Sequence, residues 1–411
     1  VMGDDFALAL RGDGTVWTWG SNDNGQLGIN TPDGYQTVPV QVIGSDNNRN
    51  TGVLRNIIYV AAGNDHALAV DNNGTVWAWG SGYGRVATQV NAVSGRGVTK
   101  VFAGTSASAV LYGNGELRNL NNGLLASGVV DAGYMGNELY YTTAEGAVNG
   151  TVVGAGAVVL SGGANHILAL DKDGKVWAMG SNDHGQLGTG TGSTSAWTAV
   201  LRADRQQLGT NDPVMSIYAG HNVSAAVTAA GRLFTWGNNA NGQMGDGTLE
   251  GKKYATELST MSGFAVPRSV DGVTEGDLSK STIAANSTVV LGMIASGGIY
   301  GWGNENAGAS YANILGTGTP GTASRVPVAV GANQALEMAY AAIIQLQPEY
   351  AEMDPAELTA LLNNYGFDKI MTGTLDELEA EAYVAALAEE GVTLEEETEA
   401  EAEEAPLARR A

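Results

Sequence analysis

The chain has 411 residues, 44% of them apolar, with 59 glycines and no cysteine. That composition allows a sizeable core, and glycine at about twice its ordinary usage points to many tight turns. The lack of cysteine excludes disulfides, zinc–thiolate sites and a cysteine nucleophile, and the net charge of −23 excludes the basic surface that a nucleic acid requires.

No apolar run reaches the length of a membrane-crossing helix, and no signal peptide is recognisable. The start at Val1 rather than Met leads to the expectation of a processed or excised chain. The first element is a phrase written twice. Asp13 to Gly28 reads DGTVWTWGSNDNGQLG and Asp173 to Gly188 reads DGKVWAMGSNDHGQLG, identical at twelve of sixteen positions. The full unit is A-G-x-x-H-x-L-A-L-x-x-x-G-x-V-W-x-W-G-S-N-x-x-G-Q-L-G. Clear copies start at Gly3, Gly63, Gly163 and Gly220, a looser one at Ala285, and two worn ones at Gly104 and Gly133. Seven copies of one short unit make a repeat architecture.

Within a copy the strands read in order. A β-prone run such as IIYVAAG (57–63) precedes HALAV (66–70), the turn DNNG, then TVWAWG (75–80). The glycine of DNNG supplies the positive φ of a hairpin turn. A fourth strand follows the G-Q-L-G turn, as in VPVQV (38–42). Four short strands repeated seven times predict an all-β, seven-bladed β-propeller over residues 1–331. Trp17, Trp77, Trp177, Phe234 and Tyr300 share one column, and Trp19, Trp79, Met179, Trp236 and Trp302 the column two residues on. Residues i and i+2 lie on one face of a strand, so these rings are expected between blades. The matching segment VPVAV (326–330) is expected to pair into the N-terminal blade and close the ring, leaving no open sheet edge there.

Chemistry-bearing motifs are sparse. His66 and His166 share a repeat column and read as structural, while His184 and His221 stand apart without metal-ligand spacing. DNNG (71–74) and DKDG (171–174) lack the spaced ligands of a calcium loop and read as turns. No catalytic, cofactor-binding or metal residue is assigned. The longest additions to the minimal unit, residues 29–54, 189–213, 246–280 and 304–325, are expected as loops on one face. They carry the candidate partner-binding aromatics Trp197, Tyr254, Phe264 and Tyr311.

The segments AGNDHALAVDNNGTVWAWGS (62–81) and GGANHILALDKDGKVWAMGSNDHGQLG (162–188) resemble the repeat of the regulator of chromosome condensation family. The resemblance spans roughly residues 1–330 and implies a seven-bladed propeller. Members of that family serve unrelated roles, among them a nucleotide-exchange factor for a small GTPase and a secreted bacterial inhibitor of β-lactamase, so the scaffold alone does not give the role.

After Gly331 the composition turns to Ala, Glu and Leu, with 19 acidic against 3 basic residues. Three short helices are expected over 332–393, as a docking or assembly segment, followed by an acidic tail over 394–411. The functional expectation is a non-catalytic binding or structural propeller with protein partners, in a bacterial surface, secreted or virion-like assembly. The alternatives are a regulator of one globular partner, such as an exchange factor or enzyme inhibitor, and a glycan-active enzyme with a site in the funnel. No cofactor, nucleic acid or membrane insertion is expected, and an extracellular or cell-surface location is favoured.

Overall fold

The structure, a computed structural model, describes residues 1–31, 34–46, 49–95, 97–259, 264, 283–293, 299–304 and 323–330. Among these the strands form seven sheets, antiparallel from the inner strand to the third of each blade, arranged as the blades of a propeller. Blade 1 holds Phe6–Leu10, Val16–Ser21 and Tyr35–Gln41. Blade 2 starts at Ile57–Ala62, blade 3 at Val98–Ala103, blade 4 at Val129–Met135, blade 5 at Ala157–Gly162, blade 6 at Val214–Ala219 and blade 7 at Ile283–Ala285. The fourth repeat is offset from its sequence reading. Its inner strand runs past Gly133, and the chain turns at Gly136 and Asn137.

The core lies between blades rather than within them. Phe6, Leu8 and Val16 of blade 1 pack with Ala67, Ala69, Trp77 and Trp79 of blade 2. Leu168 and Val176 of blade 5 pack with Ala226, Phe234 and Trp236 of blade 6 in the same way. This explains why neither face of a strand such as His66–Asp71 is polar: both faces are buried. Burying one indole removes ~150–250 Å² from water, worth at most about 4–6 kcal/mol.

The G-Q-L-G phrase is the socket for the next blade's tryptophan. The indole N–H of Trp79 donates to the Gln26 carbonyl at 2.9 Å, that of Trp236 to Gln186 at 2.8 Å, and that of Trp302 to Gln243 at 2.8 Å. The turn is braced from inside by its own side chains. Asn182 Oδ1 accepts from Leu187 N at 2.8 Å and Gln186 Oε1 from His184 N at 2.9 Å, and Asn22 with Gln26, and Asn239 with Gln243, repeat the pattern. Gly188 must be glycine twice over: its φ is +68°, and a Cβ there would lie 2.9 Å from the Trp236 indole.

Ring closure differs from the sequence expectation. The segment Ala323–Ala329 does not join the N-terminal blade; it is the outer strand of blade 7, beside Ile299–Asn304. The reason is legible in the proline. VPV recurs in Tyr35–Gln41, the outer strand of blade 1, and Pro39 and Pro327 both sit at a sheet edge where a missing N–H costs nothing. The inner position of blade 1 holds Val1 and Met2 instead. Met2 bridges Ala7, and the Val1 carbonyl accepts from Leu8 N at 2.9 Å.

The insertions are likewise not loops of one face. Residues 29–54 contain the blade 1 outer strand and a hairpin, Ile43–Asp46 and Arg49–Val53, that extends the blade 2 sheet by parallel pairing with Gly84–Gln89. Residues 189–213 and 246–280 contain the outer strands Thr194–Ala199 and Lys252–Glu257. These three insertions therefore cross the blade, because antiparallel strands place successive connections at opposite ends; residues 305–322 of the fourth lie outside the described residues. By internal contacts the chain divides into Val1–Gly316 with Pro320–Val328, which is the propeller, and a second unit of Thr317–Thr319 with Ala329–Ala411. The helices expected over 332–393 and the tail over 394–411 lie outside the described residues.

Candidate functional site: the channel mouth and the turn face

The inner strands end at a central channel, and the loops that leave them share a face with the G-Q-L-G turns. The Asp5 carbonyl receives Ser21 N at 2.8 Å, and the Asp65 carbonyl receives Ser81 N at 2.8 Å. Around the mouth the blades are stitched by backbone hydrogen bonds. Asp4 N donates to Asn64 O (3.1 Å), Asn64 N to Thr105 O (3.3 Å), Thr105 N to Gly136 O (2.9 Å) and Gly136 N to Gly163 O (2.9 Å). This stitching explains the A-G of the repeat. A Cβ on Gly63 would lie 2.5 Å from Gly104 O, one on Gly104 2.5 Å from Gly136 O, and one on Gly220 2.7 Å from Ala285 O. Only glycine lets each blade's backbone come this close to the next.

The polar repeat columns are satisfied within the fold. His166 Nε2 lies 2.7 Å from Ser224 Oγ, which donates to the Gln186 carbonyl at 2.7 Å, the same oxygen that receives Trp236. His66 Nε2 meets Ser108 Oγ at 3.0 Å in the same manner. Burial pushes both imidazoles down, His166 to about 3 with a smaller contribution from His221. Asp71 Oδ1 accepts from Asn73 N and Thr75 N at 2.9 Å each, and Asp171 Oδ1 from Asp173 N at 3.0 Å and Lys175 N at 2.9 Å. Asp171 Oδ2 also takes the Trp177 indole N–H at 2.9 Å. The DNNG and DKDG segments are thus side-chain-capped hairpins.

The mouth itself is acidic. Asp5 is pushed up to about 7, by burial first and then by Asp4, Asp65 and Asp23; Asp65 is raised by burial and then by Asp4. His221 is the cation facing this group, with Nδ1 3.7 Å from Asp4 Oδ1. Its imidazole is raised above its ordinary value, chiefly by the hydrogen bond to Asp4.

The aromatics marked in the sequence are not brought together. Trp197 lies in the outer strand of blade 5 and is half-buried against a cluster shared by blades 4 and 5. Tyr254 lies in the outer strand of blade 6, its ring 4.2 Å under the Arg205 guanidinium, whose Nη1 also donates to the phenol oxygen. Phe264 is 1% exposed and meets Trp302 edge-on at 6.4 Å, so it offers nothing to a partner. Tyr311 lies outside the described residues.

Sequence reasoning missed a different set. Tyr35 (53% exposed), Tyr83 (36%), Leu124 (54%) and Leu249 (46%) sit at or beside the turns between third and outer strands of blades 1, 2, 3 and 6. All four therefore lie on the face that carries the channel mouth. The available signal was position: each falls just where an outer strand begins or is about to begin.

Comparison with known proteins agrees with the architecture. Two models of the regulator of chromosome condensation (RCC1) repeat match, one over residues 13–70, 173–227 and 230–291, the other over 57–84, 158–186 and 215–243. The chain belongs to the RCC1 repeat family. Neither RCC1 repeat model matches residues 85–157, the stretch that holds blades 3 and 4. The ultraviolet-B receptor UVR8 of Arabidopsis thaliana is 27% identical over 299 residues, 70% of this chain and 62% of that protein. The human E3 ubiquitin-protein ligase HERC2 is 28% identical over 282 residues, 65% of this chain and 5% of that protein. The human regulator of chromosome condensation is 27% identical over 279 residues, 60% of this chain and 61% of that protein. The chain thus matches about three fifths of the length of two of these relatives and a small part of the third. Among solved structures, human WBSCR16 superposes with a TM-score of 0.55 at 16% identity, covering 77% of this chain and 94% of that one, a likeness of fold.

Proposed function

We propose that this RCC1-repeat propeller is a protein-binding module, and that its partner docks on the face bearing the channel mouth. The observation that carries this reading is the placement of Tyr35, Tyr83, Leu124 and Leu249 on that face, exposed, while the repeat-column tryptophans, histidines and aspartates are used internally. Exposed aromatics are the common anchors of interfaces. The relatives support an interaction or regulatory role, since a receptor, a ligase and a chromosome regulator share this repeat. We further propose protein rather than nucleic acid as partner, because the acidic mouth repels a polyanion. We also propose an extracellular or cell-surface assembly of bacterial origin as its setting; subcellular fractionation of the source cell tests it.

The docking proposal is tested by placing a photo-crosslinking amino acid at Tyr35, Tyr83 or Ile58 in the native source. Ile58 is exposed at the opposite end of the inner strand of blade 2. A shared adduct from Tyr35 and Tyr83 and none from Ile58 is expected. Equal adducts at all three positions, or full recovery of the partner by a Tyr35→Ala/Tyr83→Ala chain, would sink the assignment. A second reading has one observation in its favour. The secretion-regulating guanine nucleotide exchange factor of Bos taurus is 26% identical over 246 residues, 60% of this chain and 41% of that protein. Acceleration of nucleotide release from a small GTPase by the purified chain would make it the better account.

A further inference from the structure

We propose that Asp4 is a latch that holds the seam of the ring across the channel mouth, and that the latch loosens as pH rises.

At the seam the loop of Gly3 to Asp5 supplies polar contacts to three other blades. The Asp4 carboxylate accepts from Asn64 Nδ2 of blade 2 at 3.0 Å and faces His221 Nδ1 of blade 6 at 3.7 Å. The Asp4 carbonyl accepts from Asn286 Nδ2 of blade 7 at 2.7 Å, and the Met2 carbonyl from the Tyr218 hydroxyl of blade 6 at 3.5 Å. One residue therefore ties four blades. The pair with His221 skips blade 7 altogether, so it holds the ring even where the blade 7 edge yields.

The charges facing this group all belong to the mouth. Asp5 and Asp23 come from blade 1, Asp65 from blade 2, His221 and Tyr218 from blade 6, and His166 from blade 5. His166 is neutral across the working range, and Tyr218, pushed up to about 12 by burial, stays a neutral donor. Three groups change charge, and one opposes the other two: the Val1 ammonium, donating to Leu8 O at 3.0 Å, is lowered to about 6 by burial and so contributes stability that grows as pH rises. His221 and Asp5 both hold their proton more tightly in the fold than in the unfolded chain, His221 through Asp4 and Asp5 through burial beside other carboxylates. A folded-state pKa above the unfolded one contributes stability that is present at low pH and lost as pH rises through it. Near pH 6 the mouth has an imidazolium against Asp4 and a neutral Asp5. As pH rises His221 gives up its charge and Asp5 joins the repelling carboxylates, so these two changes act in the same direction, against that of Val1.

Two measurements on the full chain test this. The first is the NMR titration of the four histidines, with His221 identified by its loss in His221→Gln. Its midpoint should lie above the usual imidazole value and fall toward it in Asp4→Asn. The second is hydrogen exchange, corrected for intrinsic rates, of peptides covering residues 1–10 and 283–293, with 223–237 of blade 6 as internal reference. The protection of wild type over His221→Gln in the seam peptides, a difference in which the Val1 titration cancels, should be about 2- to 5-fold at pH 6, the range of a partly exposed ion pair, and should shrink at pH 8, while the reference stays level. The proposal fails if the His221 midpoint is unmoved in a folded Asp4→Asn chain. It fails equally if His221→Gln matches wild type in the seam peptides at pH 6, or if the difference between them does not shrink at pH 8; this variant decides the matter should Asp4→Asn not fold.

Discussion

At His166 the fold keeps a base from taking up a proton. The ring is fully buried, its Nε2 is committed to Ser224, and its Nδ1 has no partner among the described residues. A proton added at Nδ1 would be a buried charge with no acceptor, and the pKa near 3 expresses that cost. The unfolded imidazole titrates near 6.5. The native state thus binds fewer protons below that value, and the stability His166 contributes is present above pH 6.5 and lost as pH falls. Because Asp5 moves in the opposite sense, the whole-chain curve mixes the two. We therefore expect the stability difference between wild type and His166→Gln, from urea unfolding, to shrink by about 1 kcal/mol per pH unit between pH 6.5 and 4.5. A difference that is flat with pH would place the ring in contact with water.

Between elements, the governing rule couples a turn on one blade to a side chain on the next. Blades 1, 5 and 6 carry the G-Q-x-G turn, and blades 2, 6 and 7, which follow them, carry Trp79, Trp236 and Trp302. Blade 2 turns instead through Ser81–Gly84, blade 3 through Asn121–Gly123 and blade 4 through Asn149–Gly150. The blades after these have no tryptophan in that column; blade 5 has Met179. The sequence displayed both halves of this rule, the phrase and the tryptophan columns, but it could not show that they meet across a blade boundary. It also left the short outer strands of blades 3 and 4, three and two residues long, to be read only as wear. The same coupling sets a test. Gly188→Ala places a Cβ 2.9 Å from the Trp236 indole at a φ of +68°, whereas Gly192, four residues on, has nothing within 4 Å. Urea unfolding should show a loss of about 2–4 kcal/mol for the first and less than about 0.5 kcal/mol for Gly192→Ala. Similar losses at both sites would mean the turn is not a socket.

At the level of the whole ring, the sequence predicted the number and type of blades but not how they close. The VPV segment is visible in both outer strands, yet from sequence it reads as a closing strand because an open ring would expose a sheet edge. The strand before it in the sequence, Ile299–Asn304, took it instead. The surroundings of the marked aromatics were not legible for a related reason. Trp197 and Tyr254 stand in outer strands, where a ring has a neighbouring blade to lie against, and exposure depends on that neighbour rather than on the insertion that carries the residue. The blades are bound by the apolar core between them and, over blades 1 to 5, by a belt of backbone hydrogen bonds at the mouth, reinforced deeper by Asp131. That buried carboxylate takes Lys100 Nζ of blade 3 at 3.0 Å and Leu160 N of blade 5 at 2.9 Å. A closed ring cannot widen at one joint without strain at the others, so a small intrusion there should act on the whole. Gly104→Ala sets a Cβ 2.5 Å from Gly136 O while Thr105 N still holds that same oxygen at 2.9 Å. The residue can neither rotate away nor release its neighbour cheaply. We expect the thermal transition to fall by several degrees and remain single when followed by tryptophan fluorescence and by far-ultraviolet circular dichroism, since indoles on both sides of the ring share the same cooperative unit. Should the two probes separate, with fluorescence of the distant Trp236 and Trp302 unfolding later than the backbone around blade 3, the blades would be acting as independent repeats, and the belt would be a seam between neighbours with no role in the integrity of the ring.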